Sequence, residues 1–102
     1  MMDTKTLIAE AKARFIHNSA KHYLAEKYNA KLIVADQGGL WKADQQTITF
    51  LASFLNKEVV LIDTFGNPVR VNRQELMDKL CETYKSVMDE WYSEWKELES
   101  KR

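Results

Sequence analysis

The chain has 102 residues, with 15 Lys and Arg residues balanced by 15 Asp and Glu residues, so its formal net charge is +0. Hydrophobic residues make up 45% of the chain, which is enough for one modest core and too much for a long disordered segment. The neutral balance argues against a dedicated nucleic-acid binder, and a single cysteine excludes a disulfide scaffold. We therefore expect one globular domain over residues 1–102.

The first predicted element is a helix from residue 3 to about residue 28, which Asn29 is expected to end. Asp3 or Thr4 can cap it, because a short oxygen side chain accepts from the N–H groups of the first turn. Apolar side chains recur along this helix at helical spacing. The spacing predicts a buried face formed by Ile8, Ala11, Phe15 and Ser19, with Leu7, Ile16 and Tyr23 at its edges.

A short hairpin and a second helix are predicted next. Residues 32–35 are rich in β-branched side chains, residues 36–39 resemble a turn in which glycine supplies a positive φ, and residues 40–43 form the second strand. Asp44 is a predicted N-cap. A buried helix over residues 45–56 is then indicated by apolar residues at helical spacing, namely Ile48, Leu51, Ala52 and Leu55.

The second half of the chain predicts another hairpin and a long helix. Residues 58–63 are a β-branched strand, residues 64–68 a turn in which proline ends the ladder, and residues 69–71 an edge strand. Asn72 opens the last helix, and Glu75 is expected to reach back to it in a variant of the capping box. No Gly or Pro follows, so this helix is expected over about residues 73–100.

The order α-β-(β)-α-β-β-α is that of an α+β fold with a small antiparallel sheet and long N- and C-terminal helices. At 1.5 Å per residue the last helix is roughly 42 Å long. A compact domain of this size has a radius of gyration of about 13 Å. Part of the helix about 73–100 is therefore expected to extend beyond the body.

Apolar residues of the last helix recur in alternating steps of four and three, as in a coiled-coil seam, at Met77, Cys81, Tyr84, Met88, Trp91, Trp95 and Leu98. Acidic residues flank the second half of this seam. We predict a surface that binds a second copy of the chain or another protein, formed by Met88, Trp91, Tyr92, Trp95 and Leu98. In the alternative, the first helix packs antiparallel along the last helix and covers the seam. The two interpretations are compatible if the first helix covers only part of the seam.

The Cys, His and Asp residues considered for chemistry are not spaced along the sequence as in known catalytic or metal-binding motifs. Cys81 is expected to be an inert thiol, His17 to lie in solvent and His22 at the edge of the core. Turn, capping and strand-end roles are expected for three carboxylates, those of Asp36, Asp44 and Asp63. Gly38 and Gly39 are not followed by the residues of a phosphate loop. We expect no enzyme activity, no metal and no cofactor.

The sequence also bears on location. Charged residues interrupt the apolar residues of the N-terminus, and no window approaches the roughly 18 apolar residues of a membrane span. The small basic excess of the first helix is spread around it, so nucleic acid is an unlikely partner. A lone cysteine fits a reducing compartment. We expect a cytoplasmic protein without a membrane partner.

The segments GGLWKADQQTITFLASF and VVLIDTFGNPVRVNRQELMDKL, followed by a helical tail rich in Trp and Tyr, resemble small uncharacterised accessory proteins of large tailed bacteriophages. The resemblance covers roughly residues 36–98. It implies a small accessory protein for virion assembly or for binding a host protein, located in the host cytoplasm. It transfers no catalytic residue.

These observations predict a non-catalytic protein–protein interaction module that self-associates or binds a partner through the aromatic seam. One alternative is an inhibitor or assembly chaperone of a host or virion protein, whose helical tail docks in a groove of its target. Another alternative is a small-ligand or nucleotide-binding protein that uses the loop at residues 36–41. No sequence feature separates self-association from binding of another protein.

Overall fold

The computed structural model describes residues 4–101. Their secondary structure, in chain order, is α1 (Thr4–Lys31), β1 (Ile33–Asp36), β2 (Gly39–Lys42), α2 (Gln45–Ala52), β3 (Glu58–Ile62), β4 (Pro68–Asn72) and α3 (Arg73–Ser100). The predicted α+β class, the element order and the two long terminal helices are confirmed, and the second strand of the first hairpin is present. The strands form two antiparallel two-stranded sheets, β1–β2 and β3–β4.

The first hairpin has a tighter turn than the sequence predicted. Asp36 pairs with Gly39, so only Gln37 (φ 49°) and Gly38 (φ 79°) make the turn. Positive φ at both central residues defines the type I′ turn that matches the twist of a hairpin. The side chain of Gln37 accepts a hydrogen bond of 2.7 Å from the N–H of Asn72 and donates one of 3.3 Å to its carbonyl. These bonds tie the turn to the start of α3.

Trp41 organises the inner side of this hairpin. Its side chain is buried, and its indole N–H donates a hydrogen bond of 2.9 Å to the carbonyl of Asp36. A Cβ at position 39 would lie 2.4 Å from the indole ring, so Gly39 is required for the ring to lie against the backbone. The paired glycines thus have separate roles, one in the turn and one beneath the ring.

Asp63 joins the two hairpins. Its carboxylate accepts hydrogen bonds of 3.0 Å from the N–H groups of Phe65 and Asn67, and one of 3.2 Å from the N–H of Leu40 in the first hairpin. The bond from Asn67, together with the others, holds the pKa of Asp63 below its usual value despite burial. Pro68 pairs with Ile62 as the first residue of β4 rather than closing the turn, a position where its missing N–H is tolerated.

Both predicted helix N-caps are confirmed. Asp44 accepts from the N–H of Thr47 at 2.8 Å, and Asn72 accepts from the N–H of Glu75 at 3.0 Å. The predicted return bond from Glu75 is wrong, because Gln37 already accepts the N–H of Asn72. The predicted length of the second helix is also wrong. It ends at Ala52, which leaves Leu55 outside the helix and 96% exposed.

The core lies where the hairpins and α2 meet the first half of α3. Leu51 of α2, Val71 of β4, and Leu76 and Leu80 of α3 are fully buried there. The two hairpins contribute further buried residues, namely Val34, Trp41, Val59 and Leu61. From α1, the buried residues are Leu24 and Tyr28, close to its C-terminal end.

The predicted buried face of the first helix is wrong. Ile8, Phe15 and the other residues of that face are exposed, whereas Leu24 and Tyr28 are buried. Phe15 precedes Leu24 by nine residues, which at 100° per residue places the two side chains about 180° apart. The helix also runs through Asn29 to Lys31, and the predicted cap Asp3 lies outside the described residues.

The molecule is elongated, with principal extents of 65 × 25 × 20 Å. We call the paired segments 17–31 of α1 and 90–101 of α3 the stem, and residues 4–16 of α1 the arm. The body comprises the hairpins, α2 and the first half of α3. Since the stem is antiparallel, as the contacts below show, the arm continues toward and past the C-terminal end of α3.

Candidate interaction surface

Ion pairs define the stem. His17 contacts Glu99 at 3.1 Å, and Lys31 at the other end contacts Glu90 at 3.0 Å. Between them Lys27 contacts Glu94 at 2.8 Å. Because the residue numbers rise along α1 as they fall along α3, the helices are antiparallel, which is the alternative that the sequence left open.

The centre of the stem is built on Tyr28. Its side chain is 1% exposed, and its ring stacks on that of Trp91 with centroids 5.9 Å apart and planes 12° apart. Its hydroxyl donates a hydrogen bond to Glu94. The ammonium groups of Lys27 and Lys31 lie 5.1 and 5.0 Å from the ring centroid. Aromatic, cation–π and charged contacts therefore converge on one pair of helix turns.

Protonation is fixed at this centre at neutral pH. Hydrogen bonds from Lys27 and Tyr28 hold the pKa of Glu94 below its usual value. The bond to Glu94 raises the pKa of Lys27, and the bond to Glu94 also raises the pKa of Tyr28 because ionisation would place two anions together. Glu94 and Lys27 are consequently charged and Tyr28 neutral, so these contacts hold α1 on α3.

The five predicted partner-binding residues divide into two sets. Met88, Trp91 and Leu98 are partly buried against the core of the same chain. Tyr92 and Trp95 are 59% and 38% exposed, and their rings stack with centroids 6.0 Å apart. The structure thus assigns the first set to packing within the chain and leaves an exposed aromatic pair on the flank of α3.

The division follows from helix geometry. A straight helix drifts about 20° per seven residues relative to a strict heptad seam. Leu80 and Leu98 lie 18 residues apart, which is five whole turns, so both point in the buried direction. Trp95 lies about 60° around the helix from that direction. Among residues 4–101, only α1 covers α3 at this end, and it leaves that flank open.

The arm has an exposed apolar face, which the sequence predicted to be buried. Leu7, Ile8, Phe15 and Ile16 are 53%, 50%, 73% and 67% exposed. Helical spacing of apolar residues shows that α1 has this apolar face. It does not show whether another part of the chain covers the face. Phe15 lies on the side of α1 opposite the buried Leu24, so it cannot face the stem.

A second exposed apolar area lies on the body. Phe50 of α2 and two outward side chains of β3, Val60 and Ile62, are 55%, 53% and 65% exposed. They border a cavity of about 510 Å³ that also reaches Trp41. No charged residue lines this cavity, which distinguishes it from the stem and arm.

The residues considered for chemistry lie apart. His17 is paired with Glu99 and its side chain is only 12% exposed, whereas the side chain of His22 is 76% exposed beside Glu26, so both expected positions were wrong. Cys81 is a partly buried free thiol on α3. Among residues 4–101, no group of three or more His, Cys, Asp or Glu side chains could hold a metal ion.

The loop at residues 36–41 borders a cleft of about 590 Å³, with polar and apolar lining residues, between the turns of the two hairpins. Asp36 and Asp63 both line it. Backbone N–H groups already engage the carboxylate of Asp63, so it serves the fold. Asp36 is the carboxylate in the cleft with the fewest internal contacts, a single long bond of 3.5 Å from Gln37.

Within the described part of the chain, no helix is both long enough and apolar enough to cross a bilayer. Comparison of the chain with protein-family models, with curated proteins and with solved structures gave no match. The resemblance to phage accessory proteins remains a prediction from the sequence, and functional proposals depend on the geometry of the arm and stem.

Proposed function

We propose that this protein is a non-catalytic protein–protein interaction module that binds through its arm and the adjoining flank of its stem. The observation that carries the proposal is the exposed apolar face of the arm, where Phe15 and Ile16 are 73% and 67% exposed. Contiguous exposed apolar residues on a helix without a partner characterise protein-binding surfaces.

The exposed aromatic pair extends this surface onto α3. Tyr92 and Trp95 are of the residue types that anchor the centres of interfaces. Burial of apolar area contributes about 25 cal/mol per Å². Of the five residues predicted from the sequence, this proposal retains these two as contacts, and Met88, Trp91 and Leu98 support them from within.

The partner is a second copy or another cytoplasmic protein. A target bound by the arm in a groove would make the protein an inhibitor or assembly chaperone, in keeping with the resemblance to phage accessory proteins. Helix-in-groove recognition uses apolar anchors three, four and seven residues apart. The arm offers such anchors at Ile8, Ala11 and Phe15.

Affinity capture with matched tagged variants, from a lysate of the native host that also contains an untagged copy of the chain, tests the proposal. Phe15→Gln removes an aromatic ring from the arm and keeps a residue with good helix propensity. Phe65→Gln is the control, since Phe65 on the second hairpin is 74% exposed and Phe15 is 73% exposed. We expect the wild type and Phe65→Gln to retain the same bound protein, and Phe15→Gln to lose it. Equal capture by all three proteins, or capture by none, would contradict the proposal.

A small-ligand function is the second candidate, favoured by the cleft between the hairpin turns. Its mixed lining suits a small molecule that has both apolar and polar groups and is held by Asp36 and neighbouring backbone groups. A thermal-shift screen of nucleotides, divalent cations and polar metabolites tests it. A stabilising compound should lose its effect with Asp36→Asn, and no shift with any compound would count against this candidate.

A further inference from the structure

The arm and residues 89–101, which comprise the C-terminal part of α3 and Lys101, are segments of equal length. Residues 4–16 and residues 89–101 contain 13 residues each, which corresponds to about 20 Å of helix. Hydrogen bonds and ion pairs between α1 and α3 extend from His17 to Lys31. An apolar face of the arm and an aromatic flank of residues 89–101 are therefore both open, and they follow one another end to end along the molecule.

Their charges are opposite. The arm carries three basic residues, Lys5, Lys12 and Arg14, and one acidic residue, Glu10, for a net charge of +2. Residues 89–101 carry five acidic and two basic residues, for a net charge of −3. Within residues 4–101, the cations of the arm have no ion-pair partner, and neither do the carboxylates of Asp89 and Glu97.

The two segments cannot satisfy each other within one chain. The arm is continuous with the stem part of α1 in a single helix, Thr4–Lys31, and it points past the end of α3. A second copy related by a two-fold axis near the end of α3 removes this obstacle. With that axis, each arm lies beside residues 89–101 of the other copy. The interface is then self-complementary, as a two-fold dimer requires.

We propose that two copies of this chain form a dimer by exchanging arms. Leu7, Ile8 and Phe15 of each arm lie on the flank of the other copy's α3 that carries Tyr92 and Trp95. The basic residues of the arm lie along the acidic residues 89–101 of the other copy. This charge complementarity sets the relative orientation of the two copies and favours their encounter. The dimer rests on the proposed function and names the partner as the chain itself.

Complementary charge reversal tests this arrangement in the full-length chain. Lys5→Glu with Lys12→Glu changes the net charge of the arm from +2 to −2, and Asp89→Lys with Glu97→Lys changes that of residues 89–101 from −3 to +1. All four side chains are exposed, so circular dichroism should show unchanged folding. Lys57→Glu with Lys79→Glu, also exposed and located on the body, is the control.

Sedimentation or light scattering measures the outcome. We expect the wild type and the control to reach twice the chain mass of 11.9 kDa. Each charge-reversed variant alone should dissociate about tenfold or more readily, because like charges then meet. An equimolar mixture of the two variants should regain the dimer. In a mixed dimer, the reversed arm meets the reversed α3, and the unchanged arm meets the unchanged α3.

Two results overturn the dimer. Wild-type self-association that persists in the Asp89→Lys, Glu97→Lys variant would show that the arm does not lie on α3. A wild-type monomer at every concentration would exclude the dimer altogether. In that case, loss of a captured protein by Phe15→Gln would leave the proposed function intact, with another protein as the partner. If Phe15→Gln retains every captured protein, the dimer and the proposed function are both contradicted.

Discussion

A single residue in a left-handed conformation connects the first hairpin to the last helix. Gln37 has a φ of 49°, which costs a side-chain-bearing residue roughly 1–2 kcal/mol. Its amide offsets that cost by bonding both backbone groups of Asn72. The residue before the turn glycine is thus selected for its side chain rather than for its backbone preference.

Substitutions at position 37 should separate these two contributions. Gln37→Ala loses both hydrogen bonds and keeps the unfavourable φ, whereas Gln37→Gly loses the bonds but relieves the strain. We expect Gln37→Ala to be the less stable of the two, by about 1 kcal/mol. Urea denaturation of both variants measures the difference. Equal stabilities would show that the turn relaxes to another conformation.

Asp63 makes the stability of the fold depend on acid. Its folded-state pKa is lowered by backbone N–H donors, chiefly that of Asn67. Its contribution is therefore complete above the unfolded pKa of about 3.9. It is lost as the pH falls through the lower folded value.

Asp63→Asn should lower the melting temperature at pH 7 by several degrees and flatten its decline between about pH 5 and pH 2. The control is Glu82→Gln, because Glu82 lies on the body, is exposed and has no ion pair among residues 4–101. Differential scanning calorimetry across this range gives both quantities. An unchanged slope in Asp63→Asn would contradict this assignment.

At the scale of elements, features determined locally were predictable. The caps at Asp44 and Asn72 depend on a side chain and an N–H three residues later, so the sequence order contains them. The alternation of β4, with Arg70 exposed between the more buried Val69 and Val71, is likewise contained in the order of apolar and polar residues. The element order and the α+β class follow from such local signals.

Features that depend on distant segments could not be predicted. The first helix carries two apolar faces, one with Phe15 and one with Leu24, and periodicity alone cannot say which one α3 covers. The last helix was read as a heptad seam, whereas its fully buried residues, Leu76, Leu80 and Val87, lie beside that seam, and Trp95 near its end is exposed. The difference decided that Trp95 is exposed and that only part of the predicted site is available to a partner.

Two leucines provide a matched test of the assigned core. Leu80 on α3 is 0% exposed, and Leu55 after α2 is 96% exposed. Leu80→Ala should lower the free energy of unfolding by about 2–5 kcal/mol through lost burial and a cavity. Leu55→Ala should change it by no more than about 0.5 kcal/mol. Urea denaturation of both variants measures this, and similar losses would place the core elsewhere.

For the whole molecule, the arm and stem determine the shape. The Cα radius of gyration is 19.6 Å, against about 13 Å for a compact chain of this length. At a concentration at which the Lys5→Glu, Lys12→Glu variant is dissociated, small-angle scattering should give a radius of gyration near the 19.6 Å of the Cα atoms and a maximum dimension near 65 Å. A value close to 13 Å would mean that the arm folds back on the body.

The stem also determines when the protein can finish folding during its synthesis. Lys31 and Glu90, which meet in the stem, are separated by 59 residues. A ribosome adds about 5–20 residues per second, so α1 waits roughly 3–12 s for its partner helix to emerge. An isolated helix is only marginally stable in water during that interval. The first helix is therefore without its partner helix for several seconds of synthesis, and both of its apolar faces are exposed during that interval.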